Sequence, residues 1–158
     1  MAISILTIIV PSLFYFMLRN LGRIDSIFVE NIKQRRTPLF FQVILTGIVL
    51  FIVVKGYEFP ELYYFFLGIL VSAIIAFLAS LLRYKLSLHM VGIAGVLFFI
   101  IALSMHYGSN LLMAIGVLFF ITGAIASSRL EQKAHSSSEL FMGMVIGALP
   151  QLGLLFFL

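Results

Sequence analysis

The chain has 158 residues, of which 63% are hydrophobic and only 10% charged, and its mean hydropathy is +1.20. Soluble domains are about 45–50% apolar, so this composition excludes an ordinary soluble globule and points to one integral membrane domain over residues 1–158. Without cysteine there are no disulfides and no thiolate chemistry, and the net charge of +4 lies in short connections between apolar runs, which suits membrane lipid or a phosphorylated substrate better than nucleic acid.

The first apolar run, Ala2–Leu18, has no basic segment before it and no small-residue cleavage pattern after it, so it reads as a retained membrane helix. Five more runs follow: Leu39–Val54, Glu61–Leu82, Leu88–Met105, Asn110–Ala126 and Leu140–Leu158. A bilayer crossing takes about 20 helical residues. The expected fold class is therefore all-α, an integral membrane protein built as a six-transmembrane-helix bundle. Pro38 and Pro60 mark helix starts, where a missing N–H costs nothing. Gly108-Ser109-Asn110 signals a tight turn, and Ser136-Ser137-Ser138 a helix N-terminus. Pro11 and Pro150 fall inside runs and are expected to kink them. Gly92-x-x-Gly95, Gly143-x-x-x-Gly147 and Ala73-x-x-Ala76 allow helices to approach closely. There is no internal repeat.

With six crossings the connections alternate sides. One face then holds Arg19, Arg23, Lys33, Arg35, Arg36, Arg83, Lys85, Arg129 and Lys133, together with His89 and His135; the other holds only Lys55 among the lysines and arginines. The positive-inside rule or a site for an anion produces such a bias. With Arg35, Arg36, Lys85 and Arg129 set aside as site residues, the remaining charges still favour the cytoplasm for that face, with the outer side as the alternative expectation, and the expected location is a bacterial or archaeal plasma membrane.

Three polar clusters lie on that face: Lys33-Gln34-Arg35-Arg36-Thr37-Pro38, Lys85-Leu86-Ser87-Leu88-His89, and Ser128-Arg129 through His135 to Glu139. Helix N-termini bind anions readily, and three such starts facing one another would cradle a phosphate without a metal. Histidine with a carboxylate four residues on shares one helical face, an arrangement that suits an oriented nucleophile. Glu139 has a second reading, since Ser136-x-x-Glu139 is also a capping box. Arg35, Lys33 and Lys133 read as topology or lipid-surface charges, His106 as a loop residue, and Tyr57, Tyr63 and Tyr64 as an interfacial belt.

These clusters resemble, in order, the three motifs of the type-2 phosphatidic acid phosphatase superfamily, KxxxxxxRP, PSGH and SRxxxxxHxxxD. The third matches with Ser128, Arg129, His135 and Glu139 in place of Asp. The second keeps Ser87 and His89, with Leu86 and Leu88 where the family has Pro and Gly. The first is reduced to Arg36-Thr37-Pro38. The resemblance implies a metal-independent lipid phosphatase with no cofactor, acting on a lipid phosphate or polyprenyl diphosphate. His135 is then the nucleophile that forms a phosphohistidine, Glu139 the carboxylate that orients it, and His89 the acid for the leaving group. Arg129, Arg36, Ser87 and Ser128 would bind phosphate oxygens, with Lys33 or Lys85 supplying the charge of the first motif's lysine. The alternative expectation is a non-catalytic lipid-phosphate binder or transporter on the same bundle.

Overall fold

The structure, a computed structural model, describes residues 2–22 and 32–154. Among these residues every regular element is helical. The helices are α1 (Ala2–Asn20), α2 (Ile32–Val53), α3 (Pro60–Leu81), α4 (Leu88–Tyr107), α5 (Leu112–Glu131) and α6 (Ser137–Leu154). The first five are each long and apolar enough to cross a membrane. The sixth, which carries Ser137, Ser138, Glu139, Pro150 and Gln151 in its 18 residues, is not one of these five. Arg23 and the last four residues of the sixth apolar run lie outside the described residues.

Two helix boundaries differ from the sequence expectation, and both differences shape the polar end. Pro38 does not start a helix: α2 already includes Ile32, and Pro38 lies inside it. Proline removes one intrahelical bond and crowds the preceding turn. Here that turn is held from outside. Arg36 donates from Nε to the Ser80 carbonyl (3.4 Å) and from Nη2 to the Leu81 carbonyl (3.3 Å), while Arg35 Nη1 donates to the Leu86 carbonyl (3.0 Å). At the other boundary, α5 continues through Glu131, so Ser128 and Arg129 stand in its last turn rather than in a loop. Pro11 follows a π-helical stretch, Ile5–Ile9, whose wider turn relieves the clash a proline ring makes with the carbonyl four residues back.

The core is made by α2, α3, α4 and α6, while α1 and α5 lie at the edge with only 6% of their apolar spans buried. The closest seam joins α6 to α4. A Cβ on Gly147 would collide with the Val91 carbonyl oxygen and reach within 3.0 Å of the Gly95 nitrogen; one on Gly143 would lie 2.6 Å from the Ser87 carbonyl. The obstacles are backbone atoms that cannot move aside, so only glycine permits this approach, the same close packing small residues give membrane helices. α6 is also tied to α3, where Ser72 Oγ donates to the Ile146 carbonyl (2.9 Å) and Gln151 Nε2 to the Phe65 carbonyl (3.1 Å). Val49, Leu50, Val54, Phe66 and Leu70 form the α2–α3 core, and Leu39, Ala76 and Leu86 a second cluster toward the polar end.

Candidate functional site

The start of α2, the α3–α4 connection and the α5–α6 connection meet at one end of the bundle. Each connection leaves its helix in the same way. The α3 and α5 ends are closed by backbone bonds from Tyr84 to the Ala79 carbonyl (2.8 Å) and from Ala134 to the Arg129 carbonyl (3.1 Å). Arg83 (φ 61°) and Lys133 (φ 52°) take the left-handed position in these caps, a conformation that costs an L-residue about 1–2 kcal/mol. Their charge at a helix C-terminus offsets part of that cost through the helix dipole. The two turns are then clasped together, because Lys85 Nζ donates to the Ala134 carbonyl (2.8 Å).

The chain next enters α4 and α6 side by side. The Ser87 N–H donates to the Glu139 carbonyl (3.3 Å), which is possible only because Gly143 lets the two backbones approach. Ser136 caps α6: the Glu139 N–H donates to Ser136 Oγ (3.4 Å), and the Ser136 N–H donates back to Glu139 Oε2 (3.4 Å). The same Glu139 Oε2 lies 2.7 Å from His135 Nδ1. Glu139 therefore has both of its expected contacts at once, capping the helix and gripping the imidazole. A carboxylate can only accept, so Nδ1 carries the proton and the Nε2 lone pair remains for chemistry. The His135 side chain is just 6% exposed. Burial pushes its imidazole below the ordinary histidine range; the bond to Glu139 opposes this, and the positive charges of Arg35 and Lys85 add to the lowering. The balance favours the neutral imidazole.

Around this pair stand His89, Arg129, Arg35 and Lys85. Arg129, His135 and Arg35 all lie near enough to His89 to act on its charge. Ser87 is wholly buried, and its hydroxyl has no hydrogen-bond partner among the described residues. In its last turn α5 links Arg129 Nη1 to Gln132 Oε1 (3.4 Å) and Gln132 Nε2 to Ser128 Oγ (3.2 Å). Thus His135, Glu139, His89, Ser87, Lys85 and Arg129 are brought to one place. Ser128 stands beside them on α5, and Lys33 is exposed at the start of α2. Arg36, expected as a phosphate ligand, has its guanidinium at the α3 carbonyls, just as Arg35 and Lys85 donate to those of Leu86 and Ala134. Arg35, read from sequence as a surface charge, is buried at 9% exposure and acts on both histidines. The signal for it was helix phase. Arg35 precedes Leu39, Gln42 and Thr46 on the inward stripe of α2, whereas Arg36 precedes the exposed Phe40 and Ile44. Taking Pro38 as the helix start hid that stripe.

Among the described residues no three His, Asp or Glu side chains come together as a metal site would require. The assembly is thus a largely enclosed, carboxylate-oriented imidazole beside a second histidine and three cations, in a chain whose described residues are built of helices, five of them of membrane length. Compared with known proteins, the chain matches no family model, no curated protein and no solved structure.

Proposed function

We propose that the protein is a membrane lipid phosphatase whose nucleophile is His135. The observation that carries this reading is the 2.7 Å His135–Glu139 pair, its imidazole largely enclosed, near Arg35, Lys85, Arg129 and His89. Nε2 of neutral His135 attacks phosphorus, the P–O bond to the lipid breaks, and His89 protonates the departing oxygen. Water then hydrolyses the phosphohistidine and releases phosphate. Covalent catalysis divides one difficult displacement into two easier ones, and the fixed cations stabilise charge as it develops on the phosphoryl oxygens. The buried Ser87 hydroxyl supplies a further donor. The substrate is a phosphate- or diphosphate-headed lipid, and α6 completes a sixth crossing that leaves both chain ends opposite the site.

The test is phosphate release by purified protein from phosphatidate, phosphatidylglycerol phosphate and a polyprenyl diphosphate. Release that persists in EDTA and is lost in His135→Ala is the expected result. No release from any of the three classes, with the lipids still bound, would favour a lipid-phosphate binder on the same bundle. Abolition by chelator with rescue by Mg²⁺ or Zn²⁺ would reject the histidine mechanism. For the sixth crossing, single cysteines at Ser109 and Ser137 are expected to label from opposite sides with an impermeant reagent.

A further inference from the structure

A cleft of about 460 Å³ runs down the bundle between α2 and α4, backed by α3. Its upper end is formed by Leu39 and Leu88. Leu39 is one turn from Arg35 on α2, and Leu88 sits between Ser87 and His89. Its floor is Phe65 and Gln151, whose amide is anchored on the Phe65 carbonyl and lies flat against Gly68. From Leu88 to Val96 along α4 and from Phe65 to Ala76 along α3, the cleft is roughly 12–17 Å long at about 1.5 Å per helical residue. That is about half of a ~30 Å hydrocarbon core, the depth of one leaflet. Gly92 and Val96 line the cleft yet are exposed, so it opens sideways toward lipid.

Close-packed helices rarely leave such a space. Here small residues on two helices produce it, Ala73 and Ala76 on α3 and Gly92 and Gly95 on α4. We infer that the cleft seats one acyl chain of the lipid whose phosphate lies among Arg35, Lys85 and Arg129, the chain passing in from the membrane between α2 and α4 past Gly92. The inference deepens the phosphatase reading and rests on it for the head group. Charge complementarity selects this occupant, since no charged residue among those described lines the cleft, while its Leu39 and Leu88 end lies one helical turn from Arg35 and next to His89 in the chain. Moving a chain from bilayer to cleft exchanges one hydrocarbon environment for another, so the cleft adds little affinity. It acts by shape, holding the phosphate end at the depth of His135. Leu88, Gly92 and Val96 recur at one-turn spacing on the same face of α4, so bulk added at Gly92 fills the channel midway.

The test places the purified protein in phosphatidylcholine nanodiscs with a phosphatidate that carries a diazirine near the end of one acyl chain. Crosslinked peptides are mapped after illumination. Label is expected to concentrate on α3 and α4 near Phe65 and Val96, and to be lost in Gly92→Leu. The control is Gly116→Leu, which adds the same bulk to α5 where a Cβ also meets open space; it is expected to keep the label. Val96→Phe narrows the cleft from an exposed position and serves if Gly92→Leu does not fold. Label spread evenly over α1 and α5, or unchanged by both cleft substitutions, would overturn the proposal. Crosslinking needs no turnover. A labelled cleft in a protein that releases no phosphate would keep the cleft and reject the phosphatase, and phosphate release without cleft labelling would do the reverse.

Discussion

The two ends of the bundle use similar side chains to different effect. At the end opposite the site, Lys55 pairs with Glu58 at 3.4 Å with both side chains about half exposed, and Tyr107 donates to Glu61 at the surface. Pairs of this kind are screened by water and contribute little. At the site end, His135 meets Glu139 at 2.7 Å with the imidazole nearly sealed, Arg35 is buried and Ser87 is wholly enclosed. The turns differ too. Gly108 (φ 59°) closes α4 at the far end without strain, whereas Arg83 and Lys133 hold the same left-handed conformation at the site end. What separates the ends is how closely α6 approaches α4. Gly143 and Gly147 bring α6 against the start of α4, and the Ser87 N–H bond to the Glu139 carbonyl forms across that seam. A histidine and a carboxylate are enclosed together at one end, while the paired groups at the other end remain at the surface.

The sharpest break in the comparison is expected from the histidines. His135→Ala is expected to abolish phosphate release and any acid-labile phosphoenzyme, while His106→Ala, exposed at the far end, leaves turnover within a few-fold. Equal losses in the two variants would remove the distinction between the ends. A smaller effect separates neighbouring arginines. Removing one fixed donor to developing charge typically costs about 10²–10³-fold in kcat, and that loss is expected for Arg35→Gln. Arg36→Gln, whose guanidinium rests on the carbonyls of Ser80 and Leu81, is expected to lower the melting temperature more than kcat. If Arg36 proves the more costly to turnover, its guanidinium leaves those carbonyls for the phosphate.

A pH profile probes how Glu139 acts on His135. Burial and the charges of Arg35 and Lys85 lower the imidazole's pKa, and the bond to Glu139 partly raises it again. The nucleophile is the neutral form, so activity is expected to fall as pH drops through a value below the ordinary ~6.5. Glu139→Gln keeps the capping geometry and removes the charge. The acid limb is then expected to move to still lower pH, while Arg35→Gln and Lys85→Gln, which remove cations, move it upward. An acid limb unmoved by Glu139→Gln would leave that residue as a helix cap alone. Linkage has the same sign: His135 in its lowered state contributes stability that is present above the unfolded pKa and lost as pH falls toward the folded one.

The smallest effects concern the turns. Gly108→Ala forces a Cβ into the left-handed region and is expected to destabilise by about 1 kcal/mol. Lys133→Gly relieves a similar strain but makes the unfolded chain more flexible, so a net gain of only a few tenths of a kcal/mol is expected. Thermal unfolding in detergent measures both.

The sequence by itself determined the membrane class, because apolar composition depends on no contact between helices. It also marked the break at Gly108, the start at Pro60 and the capping box at Ser136, because these are local backbone matters settled within a few residues. The spacing of His135 and Glu139 anticipates their closeness but not its cause: His135 precedes the Ser136 cap and lies outside α6, so the capping turn rather than a shared helical face brings the two together. Only the tertiary structure decided which arginine joins the histidines. The choice between Arg35 and Arg36 turns on the rotation of α2, and that rotation is held by carbonyls of α3 and the α3–α4 connection some 44 to 51 residues away. The enclosure of Ser87 and the volume of the cleft were likewise invisible in the chain order. Both depend on which glycines and alanines of separate helices face each other, and a small residue reads the same in sequence whether a neighbouring backbone fills the space beside it, as at Gly147, or leaves it open, as at Gly92.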